Sequence, residues 1–86
     1  MRYVYIVECS DESFYTGVAK DLEKRLEEHN SSDLWAKYTK SRRPVCLRWA
    51  YAVASRSEAC SLERHIKRFS REKKKRLVNE QDLAIL

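Results

Sequence analysis

MRYVYIVECSDESFYTG, residues 1–17, sets two short runs rich in tyrosine and β-branched residues on either side of a polar patch, and its last residue is the only glycine of the chain. RYVYIVEC has the composition of a strand, residues 10–13 have turn chemistry, and FYTGV resumes the strand, so the opening predicts a β-hairpin. A glycine inside a strand is weakening unless another group has to approach the backbone closely there. Gly17 sits well inside the second run and so asks for such a neighbour.

Downstream of the hairpin the periodicity changes. Asp21 can cap a helix over LEKRLEEH that puts Leu22 and Leu26 on one side. Residues 30–44 are polar and basic, with Trp35 and Tyr38 expected to pin them to the body. VCLRWAYAV alternates Val45, Leu47, Trp49, Tyr51 and Val53 onto one face, as a strand does. Ser55 and Glu58 form a capping-box pair opening a helix with Ala59, Leu62, Ile66 and Phe69 on its apolar stripe, and Ser70 caps a last, very basic helix ending near Asn79. The order β-β-α-β-α-α predicts an α+β fold (an α/β sandwich), with a small three-stranded antiparallel sheet flanked by helices. At 86 residues the chain is expected to be a single domain over residues 1–80 with a tail at 81–86. A chain of this size buries about 60–65% of its unfolded surface, too little to enclose a large cofactor.

Charge is unevenly spread. Residues 1–36 hold four Lys/Arg against eight Asp/Glu, residues 37–43 hold four bases and no acid, and residues 64–76 hold eight bases and one acid. Basic segments attract polyanions because each neutralised phosphate releases condensed counterions, so nucleic acid is the expected partner, DNA ahead of RNA. The residues expected to meet phosphates are Lys37, Lys40, Arg42, Arg43, Lys67, Arg68, Lys73, Lys74 and Lys75. A solvated helix face, or a module docking an acidic protein, is the competing reading. The three cysteines, Cys9, Cys46 and Cys60, form no metal-binding spacing and suit a reducing compartment, and the first apolar run is too short for a signal-peptide core or a bilayer span. A cytoplasmic protein with no membrane partner is expected, a monomer by default.

Some polar residues fall where the apolar pattern would not choose them. Glu63 lies about 40° round the helix from Ala59, on the shoulder of the apolar stripe, and a carboxylate there must be paired, solvated in a cleft or bound to metal. His29 projects between Arg25 and Leu26, within the arc the first helix commits to the core. Local alternatives exist for each: Glu63 with Lys67, Arg25 with Glu28 or Asp21, and His29 as a packing residue.

Tyr3-Val4-Tyr5, then Tyr15-Thr16-Gly17, then Arg25 and His29 on the next helix and Glu63 on a later one, resemble the GIY-YIG nuclease superfamily, in particular its small stand-alone bacterial YhbQ-like branch. The resemblance spans about residues 2–77 and includes EHN after the first helix, AKYTKSRRPV, and RSEA opening the second. It implies a metal-dependent DNA endonuclease, structure-selective for flaps, branches or single strands, with a non-cleaving or weakly cleaving nucleic-acid-binding module of the same fold as the alternative. By position it implies Tyr5 and Tyr15 as the motif tyrosines, Arg25 as the contact to the scissile phosphate, Glu63 as the ligand of one divalent ion (Mg²⁺ or Mn²⁺), and His29 as a catalytic or substrate-facing group. Gly17 corresponds to the glycine that lets the backbone pass close under the active site, where a Cβ would obstruct substrate or the neighbouring helix.

The chain departs from the family pattern at Tyr3, Val4 and Thr16, which replace a glycine and two isoleucines. It also lacks a counterpart of the homing branch's late asparagine, Asn79 lying in a different context, and the second DNA-binding domain of repair and homing relatives. Two groups compete as general base. A phenol near pKa 10 costs about 4 kcal/mol to ionise at pH 7 whereas His29 would titrate near 6.5, yet the resemblance favours Tyr5, with Tyr15 orienting water or phosphate.

Overall fold

The computed structural model describes residues 1–31, 42–81 and 83–86. Strand β1 (Arg2–Glu8) and strand β2 (Phe14–Ala19) form the hairpin, and helix α1 (Leu22–Ser31) follows. Strand β3 (Cys46–Val53), helix α2 (Arg56–Lys67), helix α3 (Arg71–Glu80) and a single 3₁₀ turn (Leu83–Ile85) complete the order. The three strands form one antiparallel sheet in the order β2-β1-β3.

Because β1 is central, both its faces are covered, which is why RYVYIVE is nearly continuous in apolar residues. Val4 and Ile6 join Trp49, Ala59, Ile66, Phe69, Leu77 and Val78 in one cluster, made with α2 and α3. Tyr5 and Val7 point the other way and join Cys9, Ala19 and Val45, with Tyr15, Leu22 and Leu26 packed against them. Fully burying a side chain such as Ile66 or Leu77 is worth about 1.5–3 kcal/mol, so the first cluster, the larger of the two, contributes heavily to the fold's stability.

Three side chains cap the helices as their positions in sequence suggest. Asp21 Oδ1 accepts from the Lys24 N–H at 3.1 Å. The Ser55 hydroxyl accepts from the Glu58 N–H at 3.2 Å while the Glu58 carboxylate reaches back to the Ala54 N–H at 3.2 Å. The Ser70 hydroxyl accepts from the Lys73 N–H at 3.2 Å.

One expectation is corrected. The alternation from Val45 to Val53 does not keep a single face, because the pairing of β1 with β3 shifts between Ile6, opposite Trp49, and Val7, opposite Leu47, skipping Arg48. This bulge sends Val45 into the α1-side cluster and leaves Trp49 in the other. Tyr51 stays 39% exposed and stacks on the Trp49 ring, and Leu47 is 40% exposed, so the face is apolar without being buried throughout. Helix α1 also runs past His29 to Ser31, taking in Asn30. Trp35 and Tyr38 lie outside the described residues. Among the described residues no helix is long and apolar enough to cross a membrane.

Candidate active site

The hairpin places Gly17 directly opposite Tyr5. A Cβ on Gly17 would lie 2.5 Å from the Tyr5 hydroxyl oxygen and 2.7 Å from Cζ. The close neighbour that the lone glycine asks for is therefore the Tyr5 ring itself, lying across the strand, and not substrate or a helix. Glycine is needed here for space, since its φ is not positive.

Tyr5 reaches over Gly17 to α1, where its hydroxyl and His29 Nε2 are 2.7 Å apart in a buried hydrogen bond. Tyr15, two residues before Gly17 and on the same face of β2, closes a triangle, with ring centroids 6.5 Å from Tyr5 and 5.1 Å from His29. The end of α1 is fastened on both sides of the imidazole. Arg43 Nε donates to the His29 carbonyl at 2.6 Å. Asn30 pairs with the Val45 backbone through both ends of its amide, accepting from the N–H at 2.8 Å and donating to the carbonyl at 3.2 Å. Asn30 mimics a strand partner, and nothing in the periodicity of α1 marks it for that work.

Burial sets the protonation states. It pushes the Tyr5 phenol up to about 12, against a smaller opposing pull from Arg25. It also holds His29 below its ordinary 6.5, and the nearby Arg25 charge acts in the same direction. At pH 7 the phenol keeps its proton and the imidazole is neutral, so His29 can accept the Tyr5 hydroxyl's hydrogen bond in the tautomer that carries its proton on Nδ1.

Arg25 and Glu63 meet at a cleft of about 270 Å³ beside the end of β2, where Arg2, Lys20, Arg56 and Cys60 also line the walls. Arg25 Nη1 donates to the Val18 carbonyl at 2.9 Å, which ties the guanidinium to β2, and its Nε is 3.4 Å from Glu28. Glu63 lies 3.6 Å from Lys67. Both local ion pairs expected from the helix spacing are present, and both are long, so neither holds its charge tightly. A cavity of about 310 Å³ lies along β3, but its one charged lining residue, Arg48, is committed to Glu8 and Asn79 at 2.7 Å each.

Among the described residues no group of three His, Cys, Asp or Glu side chains gathers to hold a metal ion. Glu63 is the one carboxylate in a cleft whose other charged walls are cationic. Mg²⁺ is often held by one or two carboxylates plus water and substrate phosphate oxygens, and this donor set fits an ion whose remaining ligands come with the substrate. The four surrounding cations disfavour the ion until phosphate charge enters with it.

The other expected phosphate contacts are dispersed. Lys37 and Lys40 lie outside the described residues. Arg42 is bound to Asp11 at 2.9 Å and Arg43 to His29, so both serve the fold. Lys67, on α2, and Lys74, on α3, are close enough that Lys67 adds to the lowering of the Lys74 pKa that burial begins. Lys73 lies over the Phe69 ring at 4.3 Å, Lys75 is half-buried, and Arg68 joins Arg64 and His65 in a separate exposed hollow. Arg2, Lys20 and Arg56 were not singled out by the sequence, because they come from three elements and share no periodicity; only the fold brings them to one cleft.

Comparison with known proteins bears on the family and the fold. The family model described as the GIY-YIG catalytic domain matches residues 1–76. A UPF0213 protein of Staphylococcus saprophyticus is 53% identical over 79 residues, covering 92% of this chain and 95% of that protein. A UPF0213 protein of Haloquadratum walsbyi is also 53% identical over 79 residues, covering 92% and 88%. The solution NMR structure of the UPF0213 protein BH0048 from Bacillus halodurans superposes with a TM-score of 0.58 at 44% identity, covering 92% of this chain and 84% of that one.

Proposed function

Because the chain belongs to the GIY-YIG nuclease family, we propose that it is a metal-dependent DNA endonuclease, working in the cytoplasm and selecting flaps, branches or single strands by their structure. The observation that carries this reading is that Arg25 and Glu63 share one cleft and both act on the Tyr5 phenol, which is itself hydrogen-bonded to His29. So small a domain has little surface with which to read a long sequence, which favours recognition of shape.

In this reading Arg25 faces the scissile phosphate and stabilises the charge that builds on its non-bridging oxygens. A divalent ion on Glu63, for which GIY-YIG nucleases have a general requirement, would add positive charge from the other wall and help the leaving oxygen. A buried phenol held near 12 costs about 7 kcal/mol to ionise at pH 7, so Tyr5 is a poor base alone. The hydrogen bond to His29 changes that balance. As the attacking water gives its proton to the Tyr5 oxygen, the phenol proton moves to His29 Nε2, so no free phenolate is needed and the charge ends on imidazole. Tyr15, beside both rings, orients water or phosphate.

The test is incubation of the purified protein with labelled flap, branched and duplex DNA, in Mg²⁺ or Mn²⁺ with a chelator control, beside Glu63→Gln. The expected result is metal-dependent cutting of flap or branch by the parent, and none by Glu63→Gln at low metal, with DNA affinity unchanged or higher because a negative charge has gone. Cutting by Glu63→Gln at the parental rate would reduce Glu63 to a partner of Lys67. Tight binding without cutting of any substrate would favour the non-cleaving module.

A further inference from the structure

The cleft cations continue along one edge of the sheet. β2 is an edge strand, and α2 crosses beside it so that Arg56, Cys60 and Glu63 face the Val18–Ala19–Lys20 end. Arg56, Cys60, Glu63 and Lys67 follow one another at helical spacing and form one stripe, about 17 Å long at 1.5 Å per residue. Phe14 to Ala19 on β2 spans a similar distance, about 17 Å. Lys67 hands over to Lys74 on α3, and at the far end Lys74 and Arg71 line a hollow with Ser13 and Phe14, the Arg71 guanidinium lying 5.9 Å from the Phe14 ring centre. Arg2, Lys20 and Arg56 have no carboxylate partner among the described residues.

We propose that Arg2, Lys20 and Arg56 form a phosphate subsite next to the one facing Arg25 and Glu63, and that a single DNA strand runs from it along the β2 edge to Lys67, Lys74 and Arg71. The inference rests on the nuclease reading for the place of the scissile phosphate, but the track is defined by its own charges. Three unpaired cations around one cleft repel one another, and a phosphate entering between them relieves that repulsion and releases the counterions they face. Among the described residues the track cations follow one file along one strand edge, the arrangement that a single backbone would follow. The half-exposed Phe14 under Arg71 supplies the aromatic and guanidinium planes on which an unpaired base stacks. A track of about 17 Å accommodates on the order of three to five nucleotides.

The experiment is fluorescence anisotropy of an eight-nucleotide labelled oligothymidine and of a blunt duplex, titrated in chelator so that no cleavage is required, over a range of salt. The variants are Arg2→Gln/Arg56→Gln on the track and Lys24→Gln/Arg76→Gln away from it, which removes the same net charge. The track variant is expected to bind the single strand about tenfold more weakly with its salt slope shallower by about 1.4, while the off-track variant changes affinity by about twofold at most. Equal losses in the two variants would overturn the subsite, and so would duplex binding as tight as single-strand binding with the same sensitivity. Thermal midpoints of both variants within about 2 °C of the parent establish that the fold is intact. A protein that never cuts yet shows the expected loss would defeat the nuclease reading and keep the track; one that cuts, with the track variant unaffected in binding, would do the reverse.

Discussion

Among the described residues the sheet buries one polar side chain on each face, and the two are treated differently. On the α1 face His29 is 1% exposed and hydrogen-bonded to Tyr5. On the α2–α3 face Thr16 is 2% exposed, and its hydroxyl has no hydrogen-bond partner among the described residues. Burying a polar group costs free energy unless a partner compensates. The α1 face meets that cost with two further aromatic rings, an arginine and a pinned helix end, a set of groups that a purely structural layer would not need. The α2–α3 face is an ordinary apolar layer in which Thr16 is a small defect. Apart from Glu63 on α2, the groups of the proposed chemistry and the larger apolar cluster thus lie on opposite sides of one strand, since alternate residues of β1 serve each.

The sharpest way to break this division is to damage each face in turn. Ile66→Ala on the apolar face is expected to cost about 2–5 kcal/mol of unfolding free energy in denaturant titration, by lost burial and a cavity, with turnover per folded molecule retained. Arg25→Ala on the other side is expected to cut turnover about a hundredfold, near 2.7 kcal/mol in the barrier, with far less change in DNA binding because other cations remain. Lysine at 25 should rescue poorly, lacking the planar fork. An Ile66 variant that stays stable but stops cutting would show that the two faces are not separable.

Gly17→Ala probes the contact between the faces' common scaffold and the site. The new methyl would sit 2.5 Å from the Tyr5 hydroxyl oxygen, so the ring must swing away and break its bond to His29. Overpacking of this kind costs about 1–3 kcal/mol, and turnover should fall with it. Activity in Gly17→Ala/Tyr5→Phe would contradict the proposed proton transfer, because phenylalanine removes the hydroxyl while its ring still stands 2.7 Å from the new methyl at Cζ.

These effects also mark how far the sequence alone could be followed. The element order, the three caps and the position of Arg25, His29 and Glu63 on successive helices are local, and local patterns expose them. The β3 bulge was hidden because it depends on pairing with β1, and alternating residues look the same with or without it. The neighbour of Gly17 was hidden for a similar reason, being set by a cross-strand register. Asn30 and the cleft residues Arg2, Lys20 and Arg56 gave no periodic signal at all, because their roles arise from segments far apart in the chain.

Acid should separate the faces too. His29 has a folded-state pKa below its ordinary 6.5, so the unfolded chain takes up the proton first. Its contribution to stability is full above about pH 6.5 and declines as the pH falls from there toward the folded value. Cutting should weaken over the same window, since a protonated imidazole cannot accept the Tyr5 proton. Thermal midpoints measured between pH 7.5 and 5 should fall less steeply in His29→Gln, which does not titrate; parallel curves would remove His29 as the responsible group.

The smallest expected effect has the opposite sign. Thr16 occupies the α2–α3 face of β2 level with Ile6, between Phe14 and Val18, where an apolar side chain would meet only apolar neighbours. Valine keeps the β-branched shape and the strand preference and removes the hydroxyl that finds no partner. Relieving an unsatisfied buried hydroxyl is worth about 1 kcal/mol, so Thr16→Val should raise the thermal midpoint by about 4–8 °C in a domain of this size. Cleavage should stay at the parental rate, because the side chain lies across the sheet from Tyr5 and His29. The same substitution logic applied to the other buried polar group, His29→Leu, should abolish cutting whatever it does to the midpoint. A Thr16→Val variant that loses stability would mean the hydroxyl is satisfied after all, and one that keeps its stability but loses activity would move the boundary between the two faces into β2 itself.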